Sequence, residues 1–195
     1  RIKRIAEDIA KHFKENLDGR FKAMVVAVDR EACVQYKEEL DKLLPGYSEV
    51  VMSFTSDERS KDIQDYLNKL HERFPNKELS EIMKEITGKF KEEDNPKILI
   101  VTDMLLTGFD APILQTMYLD KPLREHRLLQ AIARTNRPFK DVKEAGLIVD
   151  YLGILKEFKK AFEIYTKEDI KGALYDFNEI KKEFGVTIHD STIRG

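Results

Sequence analysis

The sequence predicts an α/β fold: a parallel sheet with helices packed on it. Two observations lead there. Short apolar runs, above all residues 23–28 and 97–101, are continuous rather than alternating, as strands buried on both faces require. Between them lie segments whose apolar residues recur at helical spacing, and strands that alternate with helices imply right-handed crossovers in one parallel sheet.

Taken in order, Ile2, Ile5, Ile9, Phe13 and Leu17 predict a leading helix that ends before Asp18-Gly19. The run 23–28 is the first strand. Asp29 can cap the helix after it, whose packing face is Ala32, Tyr36, Leu40, Leu43 and Leu44, and Pro45-Gly46 stops it. A second strand is expected at 49–54 and a helix at about 58–73; Pro75-Asn76 interrupts, and another helical stretch covers about 78–91. Lys97-Ile98-Leu99-Ile100-Val101 is the strongest buried-strand signal. A loop over 102–113, a strand at 116–119, a helix at about 125–136 and a strand at 146–150 complete the five strands. Beyond Leu152 the pattern is helical only, to about Glu183. The expected organisation is a leading helix or linker at 1–20, an α/β domain at 21–151 and a helical extension at 152–195.

Composition removes several function classes. The 34 Lys+Arg against 36 Asp+Glu give a net charge of −2, which excludes a polycationic nucleic-acid coat but not a locally basic groove. The single cysteine, Cys33, can form neither an internal disulfide nor a thiolate zinc site, and it fits a reducing, cytoplasmic setting. No apolar run approaches the roughly 18 residues of a membrane span. An opening on Arg1 and a close on Arg194-Gly195 predict a piece of a longer polypeptide.

A complete catalytic centre is not visible. Gly88-Lys89 is followed by Phe90, so the phosphate-cradling pattern that ends in Gly-Lys-Ser/Thr fails, and no Gly-x-Gly-x-x-Gly is present. The four histidines (His12, His71, His126 and His189) are scattered, and no metal site is expected. Asp150 with Glu157 and Lys159 mimics a nuclease pattern, but the last two fall on helical periodicity. The chain is expected to contribute half of a site.

In such sheets the ligand lies at the carboxyl ends of the strands. Three segments there carry chemistry. For the helix around Gln130, continued at about 100° per residue to Arg137 at its end, Gln130, Arg134 and Arg137 fall within a sector of about 60°, with Arg127 at its margin. No acid interleaves with them between His126 and Asn136, and residues 121–143 hold seven Lys/Arg against two acids. Leu128, Leu129 and Ile132 lie on the other side. Such a row predicts an anionic partner; an ordinary polar face is the plain alternative. In the 102–112 loop, Thr102 can donate to a phosphate, Gly108 admits close backbone approach, Asp110 can accept from a ribose hydroxyl and Pro112 stiffens the exit. Asp29-Arg30-Glu31 and Thr55-Ser56-Asp57 follow strands at the same edge. Helix capping accounts for Asp29, Thr55 and Asp57, so only position favours Arg30.

The order of these pieces resembles the C-terminal RecA-like domain of superfamily 2 helicases and translocases. The runs Ile98 through Pro112, Tyr118-Leu119-Asp120-Lys121-Pro122-Leu123, Gln130-Ala131-Ile132-Ala133-Arg134-Thr135-Asn136-Arg137 and Gly146-Leu147-Ile148-Val149-Asp150-Tyr151 resemble more closely the R (motor and nuclease) subunit of type I restriction-modification enzymes. Ala133 and Asn136 stand where the general helicase pattern has glycines, which favours the restriction subunit.

The resemblance implies a RecA-like, P-loop NTPase-like domain without its own Walker A sequence, the second motor domain of an ATP-dependent double-stranded DNA translocase and endonuclease. Arg137 is then the arginine finger and Arg134 its support, with Gln130, Gly108 and Asp110 at the nucleotide and Thr102, Arg30 and Thr55 at the DNA backbone. ATP and Mg2+ are implied, held mainly by the first RecA-like domain. The implied partners are that domain, a nuclease domain, and methyltransferase and specificity subunits, with no membrane. Two other readings remain: the C-terminal domain of another superfamily 2 DNA or RNA helicase, and a non-enzymatic doubly wound module that binds an anionic partner through the 127–137 face.

Overall fold

The computed structural model describes residues 1–55, 58–106, 108–135, 139, 143, 146–154 and 187–189. The chain order is α1 (Ile2–Asn16), β1 (Lys22–Ala27), α2 (Arg30–Leu43), β2 (Ser48–Val51), α3 (Lys61–Arg73), α4 (Leu79–Glu92), β3 (Ile98–Val101), β4 (Leu114–Asp120), α5 (Glu125–Thr135), β5 (Leu147–Asp150) and β6 (Thr187–His189). The strands form one sheet in the order β2-β3-β1-β4-β5-β6, and every pairing is parallel. All five expected strands are present, and the architecture is RecA-like. The sixth strand, β6, lies past the helical pattern, inside the segment expected to be a helical extension. It pairs with β5 over three residues, too few to show a period.

The apolar runs are central for the expected reason. Every residue of β1 and β3 is buried, and β1 lies between β3 and β4. Helix α1 buries Ile5, Ala6, Ile9, Ala10 and Phe13 in the same core and packs against α2, so the leading segment is part of the fold's interior. Asp29 caps α2 by accepting from the Ala32 N–H at 2.8 Å.

Two boundaries differ from expectation. Strand β2 ends at Val51 rather than 54, and α3 begins at Lys61 with Ser60 at its N-cap. Thr55 therefore caps no helix, and Asp57 lies outside the described residues. Among the described residues no helix is long and apolar enough to cross a membrane.

Candidate functional site at the carboxyl edge of the sheet

Because all the strands run parallel, the segments that follow β1, β2, β3, β4 and β5 emerge at one edge. The loop after β3 is anchored by buried Leu106, Phe109 and Ala111, while Gly108 and Asp110 between and beside them are exposed. Apolar side chains thus turn inward and leave the glycine and the carboxylate at the surface. The Phe109 ring packs on Phe90 at 6.1 Å, and Lys91 lies over its face at 4.8 Å. Gly108 has φ +72°, a left-handed conformation that glycine adopts without penalty. Leu105 has φ +69°, which a bulky residue adopts only at a cost.

Helix α5 packs on β4 and β5, with Leu128 and Ala131 fully buried. The side chains of Leu129 and Ile132 lie outside the described residues. Arg134 is half-buried and lies against the loop: Nε donates to the Leu106 carbonyl at 3.0 Å and Nη1 to the Phe109 carbonyl. Gln130 is exposed. The structure therefore brings Arg134, Gly108 and Asp110 into one neighbourhood, with α5 laid along the loop. Arg137 lies outside the described residues.

Arg127 departs from the expected row of unpaired arginines. Its Nη1 donates to Asp103 Oδ1 at 2.6 Å, and Lys121 Nζ donates to Asp103 Oδ2 at 2.6 Å. Its acidic partner comes from the loop after β3, so inspection of the helix alone could not find it. Burial acts to raise the pKa of Asp103, but the Lys121 ammonium and the Arg127 guanidinium outweigh it and hold the carboxyl below its ordinary value. Sequence reasoning passed over Asp103 and Lys121; the Asp120-Lys121-Pro122 run at a strand end was the available signal.

The next residue back, Asp120, is 3% exposed at the end of β4. It accepts from Tyr36 Oη of α2 at 2.5 Å and pairs with Arg1 at the start of α1. Burial, with the hydrogen bond to Asp120 next, drives the Tyr36 phenol pKa far up, so it remains a donor.

The remaining positions are less convergent. Thr102 is half-buried at the start of the loop. Arg30 donates to Thr55 Oγ1 at 3.3 Å and pairs with Glu58 at 2.6 Å, so these two sit together at the β1–β2 end of the edge with an acid beside them. Asp150 accepts from the Leu152 and Gly153 N–H groups at 3.0 and 3.1 Å and so shapes the turn after β5; Glu157 and Lys159 lie outside the described residues. Among the described residues no group of three or more His, Cys, Asp or Glu could hold a metal ion.

Comparison with known proteins agrees with this architecture. The family model for type I restriction enzyme subunit R domain 3 matches residues 8–153. A protein of Methanocaldococcus jannaschii named as the MjaVIIP type I restriction enzyme endonuclease subunit is 46% identical over 201 aligned residues, covering 94% of this chain and 19% of its own length. The endonuclease subunit of the type I restriction enzyme HindI of Haemophilus influenzae is 37% identical, covering 89% of this chain and 17% of its own. This chain thus spans under a fifth of either relative. Among solved structures, a fragment of an HsdR subunit of a type I restriction enzyme from Vibrio vulnificus YJ016 shares the fold at a TM-score of 0.55 and 22% identity, over 88% of this chain and 30% of that one. From sheet order, loop and helix together with the family match, the chain belongs to the type I restriction enzyme subunit R family, as its domain 3.

Proposed function

We propose that this chain is the second RecA-like motor domain of an R subunit that translocates double-stranded DNA at the expense of ATP and cleaves it. The observation that carries the reading is the docking of α5 on the loop after β3, where Arg134 holds the Leu106 and Phe109 carbonyls beside exposed Gly108 and Asp110. An arginine finger's effect depends on position, and Arg137 follows the end of this docked helix by two residues in the sequence.

In this reading Arg137 stabilises charge on the transferring phosphoryl group, and Arg134 keeps the helix in register with the loop. Gln130, Gly108 and Asp110 line the nucleotide, with Asp110 suited to accept from a ribose hydroxyl. With Mg2+ bound, ATP supplies the phosphoanhydride that is hydrolysed. In this reading the metal, like the phosphates, is held mainly by the first RecA-like domain of the subunit. Thr102, Arg30 and Thr55 contact the DNA backbone without reading bases. Partners are the first RecA-like and nuclease domains of the same subunit and the methyltransferase and specificity subunits, in the cytoplasm.

The test is Arg137→Ala in the full-length subunit, assembled with its partners. DNA-stimulated ATP turnover should fall by ~10³-fold or more while ATP binding persists. Arg137→Lys should restore little, because a flexible point charge does not reproduce the guanidinium fork. Near-normal turnover in Arg137→Ala would overturn the assignment.

A further inference from the structure

We infer that Asp103 is a positioning residue that locks the nucleotide-facing loop to α5 and to the end of β4. The inference rests on the motor reading above and assigns a role to a residue that reading leaves unused.

Three observations carry it. First, the carboxylate is shared: Oδ1 takes Arg127 of α5 and Oδ2 takes Lys121, each at 2.6 Å, so one side chain joins three segments of the edge. Second, α5 is fastened to the same loop at a second point. Arg127 and Arg134 are seven residues apart, which returns the helix to within about 20° of the same face. Arg127 grips Asp103 at one end of that face, and Arg134 grips the Leu106 and Phe109 carbonyls at the other. Third, Leu105 sits between the two fastenings in a left-handed conformation, at φ +69°. Such a residue persists only where its surroundings over-determine it. Lys121 in turn follows Asp120, which Tyr36 and Arg1 hold, so the strut ends on the buried core rather than on a mobile side chain.

The side chains of Asp103 and Arg127 are 44% and 43% exposed. Ion pairs this open contribute little to stability, so neutralising them should leave the domain folded. Their effect is on register: without the strut, Leu105 can relax and carry Gly108 and Asp110 away from α5.

The experiment uses the full-length subunit with its partner subunits, DNA and ATP. It compares Asp103→Asn, Arg127→Gln and the double variant by kcat, KM for ATP, and amide hydrogen exchange over 98–113. Each single change should lower kcat roughly 10- to 100-fold, the penalty of small misplacement, with KM within about twofold. Exchange over 102–110 should quicken while β1 and β3 stay protected, and the double variant should be no worse than either single one. An unchanged kcat, a fall in kcat without faster loop exchange, or additive losses would each overturn the role. Absence of turnover in the wild-type enzyme would instead overturn the motor reading, and loop exchange in the same variants would then decide by itself whether Asp103 holds the loop.

Discussion

Lys22 begins β1 and is only 4% exposed, and its ammonium donates to the carbonyls of Phe90, Glu93 and Pro96. Those oxygens terminate α4 and the turn after it, where a helix leaves carbonyls unsatisfied and its dipole favours a cation. Lys143 does the same for Pro112 and Leu114, at the exit of the loop after β3. Burial pushes both pKa values down to about 8, from 10.5. The unfolded chain therefore holds more protons than the folded one between those values, and stability rises with pH across that window. Cys33 opposes this above pH 9, since burial raises its thiol pKa to about 12 and the folded state then keeps the proton. In the isolated chain, the urea midpoint should rise from about pH 8 to pH 9 and less steeply from pH 9 to pH 10, where the one cysteine offsets only one of the two lysines. Lys22→Met should flatten the rise and cost roughly 1–3 kcal/mol through the stranded carbonyls. A midpoint that falls over the same interval would rule out depressed lysines.

At the scale of elements, α5 meets the start of β5 through a glycine. A methyl group on Gly146 would collide with the backbone carbonyl and Cβ of Thr135, the last residue of α5. Neither partner is the end of a flexible side chain, so the helix itself must move. Gly146→Ala should destabilise the domain by roughly 1–3 kcal/mol. In the full-length subunit it should also lower turnover, because α5 carries Arg134. Gly88, inside α4 with nothing within 4 Å of an added methyl, is the control. Gly88→Ala should stabilise by about 0.5–1 kcal/mol, through lost freedom of the unfolded chain. Thermal melts of the two variants that shift in the same direction would contradict this account.

For the molecule as a whole, the continuous core predicts that the isolated chain folds, while the missing Walker A sequence predicts that it hydrolyses no ATP. DNA binding by this chain alone should be weak and indifferent to sequence. It should fall steeply with salt, since a net charge of −2 leaves only local phosphate contacts at the sheet edge. DNA-stimulated hydrolysis by the pure fragment, or a salt-insensitive complex, would refute the half-site reading.

The sequence by itself determined five of the sheet's strands and most of its helices, because their signals are local, while β6 went unread. Buried parallel strands such as 98–101 are continuous apolar runs, and a cap such as Asp29 acts within three residues. It also carried the family, through ordered words such as Thr102-Asp103 and Gln130 to Arg137. Only the tertiary structure decided which charges meet. Asp103 reaches Lys121 and Arg127 across 18 and 24 residues, Arg1 reaches Asp120 across 119, and Arg134 bonds to backbone carbonyls that no composition reveals. Helical periodicity records which face a side chain occupies and says nothing of what another segment brings to that face. The row that looked unpaired on the helix was therefore partly neutralised from outside it. Gly146 was equally silent, since a close backbone approach leaves its trace only in the space that the approaching helix fills.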